Sequence, residues 1–194
     1  DQFPLQPLID HFSMFKGVGN KTAQRMALEL IGFSTEKVTD FSNELIRTKK
    51  SIRYCEKCYF LSLNETCYIC NDVRRDSSLL CVVADPKDVL AIEQSNSFNG
   101  RYHVLGGLVS PLDGMYPEML RLNELKLKLS DISEVILALS PTVEGDTTGL
   151  VVQEICQIVN VPVYKLAQGI PIGADLSYLD EVTIDKAFQG KVKC

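Results

Sequence analysis

Leu79-Leu80-Cys81-Val82-Val83-Ala84 and Val135-Ile136-Leu137-Ala138-Leu139 are unbroken apolar runs, too short for core helices and too uniform for strands with one wet face. Runs of this kind, rich in branched residues, mark strands covered on both faces, as in a parallel sheet. Weaker strand signals at Tyr102-His103-Val104-Leu105 and Val161-Pro162-Val163-Tyr164 alternate with helical stretches near 87–94, 117–129 and 148–159. That alternation predicts an α/β fold. Gly106-Gly107, Pro111-Leu112-Asp113-Gly114 and Gly169-Ile170-Pro171-Ile172-Gly173 fall where connections belong.

Upstream of about residue 77 the pattern changes. Leu5, Leu8, Ile9 and Phe12 recur at helical spacing, as do Ala23, Met26, Ala27 and Leu30, which predicts two amphipathic helices. Lys16-Gly17-Val18-Gly19-Asn20 joins them, with Asn20 placed to cap the second helix and Gly32 to stop it. A third helix starts at Ser34 or Thr35 and carries an apolar stripe of Val38, Phe41, Leu45 and Ile52.

A chain of 194 residues that is 45% hydrophobic and 23% charged has the size of one domain or two small ones and can bury a core. No apolar run approaches the ~18 residues of a membrane span, and the composition excludes a disordered tail. Asp1 to Phe15 carries no Lys or Arg ahead of its apolar residues, so nothing there reads as a secretory signal, and the cytoplasm is the expected location. The net charge of -5 is unevenly spread: residues 1–75 hold eleven Lys or Arg against nine Asp or Glu, residues 76–194 nine against sixteen. Contact with a polyanion is therefore expected of the first part.

Three sets of residues point to chemistry. Cys55, Cys58, Cys67 and Cys70 form C-x₂-C-x₈-C-x₂-C, two tight pairs of thiolates suited to tetrahedral zinc. Two disulfides would need an oxidising compartment, which nothing here suggests. Four thiolates leave no coordination position for water, so such a zinc is structural. Cys81 and Cys156 lie in core patterns, and Cys194 is terminal. Gly17 and Gly19 permit a tight hairpin whose following helix start exposes N–H groups to a phosphate oxygen, while Lys21 and Arg25, four apart, can neutralise flanking phosphates. An ordinary helical hairpin with a solvated basic face has the same spacing. Asp85 after the first strand, and Glu144 and Asp146 after the other long run, stand at the carboxyl edge of the predicted sheet, as an Mg²⁺ set or as an acidic loop capping a helix at Asp146 or Thr147.

Taken together, the Gly17-Val18-Gly19-Asn20-Lys21-Thr22-Ala23-Gln24-Arg25-Met26-Ala27 hairpin, the four cysteines, Val104-Leu105-Gly106-Gly107 leading into Ser110-Pro111-Leu112-Asp113-Gly114, and Pro141-Thr142-Val143-Glu144-Gly145 resemble the bacterial RecR recombination proteins over nearly the whole chain. The resemblance implies a helix-hairpin-helix region over 1–53, a Cys₄ zinc finger over 54–76, a Toprim-like α/β domain over 77–168 and a C-terminal oligomerisation segment over 169–194. It also implies a ring-shaped homo-oligomer that binds gapped, single-stranded or double-stranded DNA. Such a protein acts with RecO, and RecF where present, to help load RecA during recombinational repair. Lys21 and Arg25 match the family's DNA-contacting positions, and Cys55, Cys58, Cys67 and Cys70 its zinc ligands. Asn20 stands where relatives often have proline.

Catalytic Toprim enzymes resemble one another in a Glu ending the first strand and a D-x-D after a later one. This chain has Ala84, Ser140 and Thr142 at those positions. A cage without its carboxylates lacks the oxygen ligands to hold Mg²⁺ for phosphoryl transfer. A non-enzymatic mediator is therefore expected, with Asp85, Glu144 and Asp146 as partner-binding or structural carboxylates. The alternatives are an Mg-dependent Toprim enzyme that nicks, joins or primes DNA with those three residues, and a zinc-stapled scaffold that binds only proteins.

Overall fold

The computed structural model describes residues 3–191. Cys194 lies outside the described residues. The chain divides into two compact units, Asp1–Ile52 and Arg53–Cys194. No helix among the described residues is long and apolar enough to cross a membrane.

The first unit holds α1 (Gln6–Ser13), α2 (Asn20–Ile31) and α3 (Thr35–Ser51). Ile9, Ala23 and Ala27 are buried between α1 and α2, with Leu5, Leu8, Phe12 and Val18 packed around them. The two alanines let the helix backbones approach closely. Asn20 does not cap α2: the cap position falls one residue earlier, on extended Gly19, and Asn20 is already helical. Gly32 ends the helix in a right-handed conformation, its amide donating to the Glu29 carbonyl at 3.0 Å and the next amide, of Phe33, to that of Leu30 at 3.1 Å. Ser34 caps α3 by accepting from the Lys37 amide at 3.3 Å, as predicted. The stripe on α3 does not enter the core of this unit; no residue of the helix is buried, and Phe41, Leu45 and Ile46 are exposed.

The second unit opens with an antiparallel pair, β1 (Arg53–Tyr54) and β2 (Leu61–Ser62), and a single helical turn, α4 (Tyr68–Asn71). Then come β3 (Leu79–Val83), α5 (Pro86–Ser95), β4 (Arg101–Val104), α6 (Leu122–Lys126), β5 (Glu134–Ala138), α7 (Val143–Ile158), β6 (Val163–Lys165) and α8 (Glu181–Gln189). The four long-range strands form a parallel sheet in the order β4-β3-β5-β6. The chain moves outward from β3 to β4, then crosses back to β5, so the connections reverse between β3 and β5, where open α/β sheets place ligands.

Alternation along the strands separates two cores. Leu80, Val82, Val135 and Leu137 pack with Val152 and Cys156 of α7 and with Leu122, Leu125 and Leu129. Cys81, Val83, Tyr102 and Val104 pack with Val89 of α5 and with Cys55, Cys58, Phe60, Cys67, Ile69 and Cys70. The cysteine segment and the sheet thus share one core, and the change of pattern near residue 77 is a change of element type inside one compact unit. Cys81 and Cys156 are buried core residues, as predicted.

Two helical expectations shift. The stretch 117–129 breaks into a 3-10 turn at Pro117–Met119, the short α6 and another 3-10 turn at Leu129–Asp131. The helix expected near 148 starts at Val143, because Thr142 caps it by accepting from the Gly145 amide at 3.2 Å. The turn from β5 is so tight that a Cβ on Gly145 would sit 1.9 Å from the Ser140 carbonyl oxygen.

Candidate nucleic-acid interface and metal centre

The hairpin between α1 and α2 is closed by the Val18 amide donating to Phe15 at 3.0 Å, with Gly17 at φ +86°. A residue with a Cβ is strained there, so glycine is what lets the chain turn. Gly19 is extended at the helix start, and the amides of Asn20, Lys21 and Thr22 in the first turn have no acceptor within the helix. Lys21 and Arg25 are exposed on α2 and make no ion pair among the described residues. One short segment therefore presents amide donors, the positive end of a helix dipole and two free cations, which is the chemistry that accepts a phosphate.

Cys55, Cys58, Cys67 and Cys70 are all buried, and their sulfurs lie within 4.8 Å of one another. Four sulfurs around a tetrahedral zinc at about 2.3 Å stand roughly 3.8 Å apart. The Cys58 and Cys67 sulfurs are 3.5 Å apart and the Cys67 amide donates to Cys55 Sγ at 3.3 Å, so the set fits a thiolate-held cation. None of the four is in a disulfide. The hydrogen bond with Cys67 holds the Cys58 thiol protonated far above the usual range, and the same bond holds Cys67 well below it.

The segment around Cys58 is built into the sheet. Cys58 accepts from the Val104 amide at 2.9 Å, so it occupies the outer edge of β4. Tyr59, at φ +65°, turns its ring against His103 at 5.5 Å, with the Arg121 guanidinium 4.8 Å and the Lys128 ammonium 4.9 Å from its centre. Arg121 also covers the Tyr54 ring at 4.9 Å. Below, Arg75 forms a bidentate pair with Glu93, which also accepts from the Tyr102 hydroxyl at 2.7 Å. Nothing in the sequence flags these contacts, since their partners stand far apart along the chain. A bulky residue directly after a C-x₂-C pair, where the backbone turns left-handed, is the only trace.

Asp85, Glu144 and Asp146 do stand at the carboxyl edge, but they do not converge. Asp85 precedes α5, its amide donating to Asp88 Oδ2 at 2.9 Å. Glu144 and Asp146 lie in the first turn of α7, where they complement the helix dipole, so the cap is Thr142 and not Asp146 or Thr147. Asp146 pairs with Lys165 at 2.5 Å, and that pairing holds its carboxyl below the usual range. Among the described residues, the four cysteines are the one group of three or more potential ligands brought together. A cleft of about 680 Å³ opens beside β5, lined by Thr142, Asp146, Lys165, Asp180 and Lys186 among others.

A helix-hairpin-helix ahead of a Cys₄ segment fused to a four-stranded parallel sheet defines a class of DNA-metabolism proteins carrying a Toprim domain. The Toprim domain family matches residues 78–167, the RecR helix-hairpin-helix residues 5–48 and the RecR C-terminal segment residues 169–192. The chain is 43% identical over 190 residues to recombination protein RecR of Prochlorococcus marinus subsp. pastoris, spanning 97% of this chain and 95% of that one. It is 45% identical over 186 residues to recombination protein RecR of a Synechococcus species, 95% and 97% of the two chains, and 44% identical over 186 residues to that of Parasynechococcus marenigrum, 95% and 96%. The chain belongs to the RecR family of recombination proteins.

Proposed function

We propose that this protein is a DNA-binding mediator of recombinational repair, without chemistry of its own, that acts with RecO, and RecF where present, to help load RecA on gapped or single-stranded DNA in the bacterial cytoplasm. The observation that carries this reading is the hairpin: Gly17 and Gly19 position unpaired amides, and Lys21 and Arg25 stand exposed without carboxylate partners beside them. Such groups contact phosphates of any sequence. The segments take the roles of a DNA-binding region (1–53), a zinc finger (54–76), a Toprim-like domain (77–168) and an oligomerisation segment (169–194). Zinc held by Cys55, Cys58, Cys67 and Cys70 supplies a structural cross-link, closed to water by its four ligands.

Two exposed apolar surfaces support a homo-oligomer. α3 shows Phe41, Leu45 and Ile46 to solvent, and in the C-terminal segment Ile172, Tyr178, Val182 and Phe188 are exposed and no residue of α8 is buried. Closing several copies into a ring repeats Lys21 and Arg25 around a lumen, multiplying weak phosphate contacts through effective concentration. The acidic edge then faces a basic partner. Glu144 has no ion pair among the described residues, whereas Asp85 lies 3.8 Å from Lys87 and Asp146 is held by Lys165.

The test is a binding titration with gapped, duplex and single-stranded DNA, with and without RecO and Mg²⁺, following strand integrity in parallel. Binding without cleavage, strengthened by RecO and impaired in complex formation by Glu144→Lys, is the expected result. Mg²⁺-dependent cleavage abolished by Glu144→Gln would overturn it.

A further inference from the structure

Lys128, between α6 and the 3-10 turn at Leu129–Asp131, is a cation without an evident counter-charge. It is half-buried and turns its ammonium inward, donating to His103 Nδ1 at 2.8 Å and to the Lys57 carbonyl oxygen, with the Tyr59 ring beside it. His103 is wholly buried, and its Nε2 lies 2.7 Å from the Arg121 carbonyl oxygen. An ammonium donating to Nδ1 and a carbonyl accepting from Nε2 together fix His103 as the neutral tautomer with its proton on Nε2. None of these partners is negative. Glu124, on α6, is the nearest carboxylate influence, and it forms no ion pair with Lys128 among the described residues.

A cation withdrawn from water is retained where an opposite charge offsets the lost hydration. The contacts of Lys128 bracket one place: Lys57 immediately precedes Cys58 and Tyr59 immediately follows it. Four thiolates around a divalent cation carry a net charge of about -2. We propose that Lys128 is the counter-cation of the Cys₄ metal centre, reaching across from the α/β domain to neutralise part of that charge, and that His103 and Tyr59 hold it in position. This rests on the reading of the four cysteines as a metal site. Lys128 is thus a positioning and charge-balancing residue, not a ligand.

The test measures zinc affinity of the full chain by competition with a chromophoric chelator between pH 6 and 8, together with the thiolate-to-metal absorption of the cobalt-loaded protein. Lys128→Met, which keeps the apolar stem and removes the charge, is expected to weaken zinc 10- to 100-fold, the usual scale for residues supporting a metal's ligands. The cobalt spectrum should stay that of four sulfurs. Lys128→Arg should restore most of the affinity. A purely structural role predicts equal loss in Lys128→Met and Lys128→Arg, and that result overturns the proposal, as does parent-like zinc affinity in Lys128→Met. A parent chain that binds neither zinc nor cobalt overturns the metal reading itself, and the proposal with it.

Discussion

Lys21 and Lys128 are both lysines without a carboxylate partner, and their surroundings could hardly differ more. Lys21 stands in solvent beside a glycine turn; no atom lies within 4 Å of where a Cβ on Gly17 would be. Lys128 is turned inward against an imidazole, a carbonyl and an aromatic ring. An exposed, unpaired cation costs little and stays available to an external polyanion, whereas an inward one needs an internal counter-charge. On the proposed function, the hairpin is completed from outside by a polyanion and the cysteine segment from within. Losing a group from the first should change binding with little effect on folding, and losing one from the second should do the reverse.

The largest effect is expected from Cys67→Ser. Binding of a structural zinc is folding free energy, about 10–16 kcal/mol in all, and loss of one of four ligands should remove a large part of it. Because the cysteines share a core with Cys81, Val83, Tyr102 and Val104, hydrogen exchange should quicken in β3 and β4 as well as around the cysteines. Amides of α1 and α2 should keep their protection; a uniform loss along the chain would erase the contrast between the two regions.

A smaller effect follows from His103. Desolvation, with Lys128 adding to it, pushes this imidazole down to about 3. Above the unfolded value near 6.5 both states are neutral and nothing is gained; below it the unfolded chain takes up a proton the folded chain refuses, so stability falls with pH. Between pH 6.5 and 5 this amounts to about 2 kcal/mol at one proton per transition. Urea titrations at the two pH values should show His103→Gln losing less stability than the parent. An equal loss in both would mean that His103 does not titrate separately in the two states.

Gly17→Ala should be milder still. The added methyl meets no neighbour, so only the φ of +86° is strained, at about 1 kcal/mol. Hydrogen exchange should report that loss in α1 and α2 and none in β3.

Much of this was legible beforehand because it is local. Unbroken apolar runs announced the parallel strands, the C-x₂-C pairs announced the cluster of four thiols, and helical spacing announced α1 and α2. What the sequence hid was long-range or came down to a single residue's backbone. Asn20 looks like a cap because Gly19 carries no side chain to compete, yet the extended backbone of Gly19 puts the cap there. The stripe on α3 obeys the spacing of a buried face without being buried, since spacing states what a face is and not what covers it. The three carboxylates share one sheet edge without converging, because α7 begins early and takes Glu144 and Asp146 into its first turn. Lys128, His103 and Tyr59 meet only through the fold.

The most direct test of the account is the salt dependence of DNA binding by the parent and the Lys21→Ala/Arg25→Ala double variant. Each lost phosphate contact on duplex DNA should reduce the slope of log K against log salt by about 0.9, so the double variant should bind every sequence at least about tenfold more weakly and with a slope shallower by up to ~1.8. Its thermal stability should match the parent's. Unchanged affinity and unchanged slope would contradict the account and place the DNA surface elsewhere on the molecule.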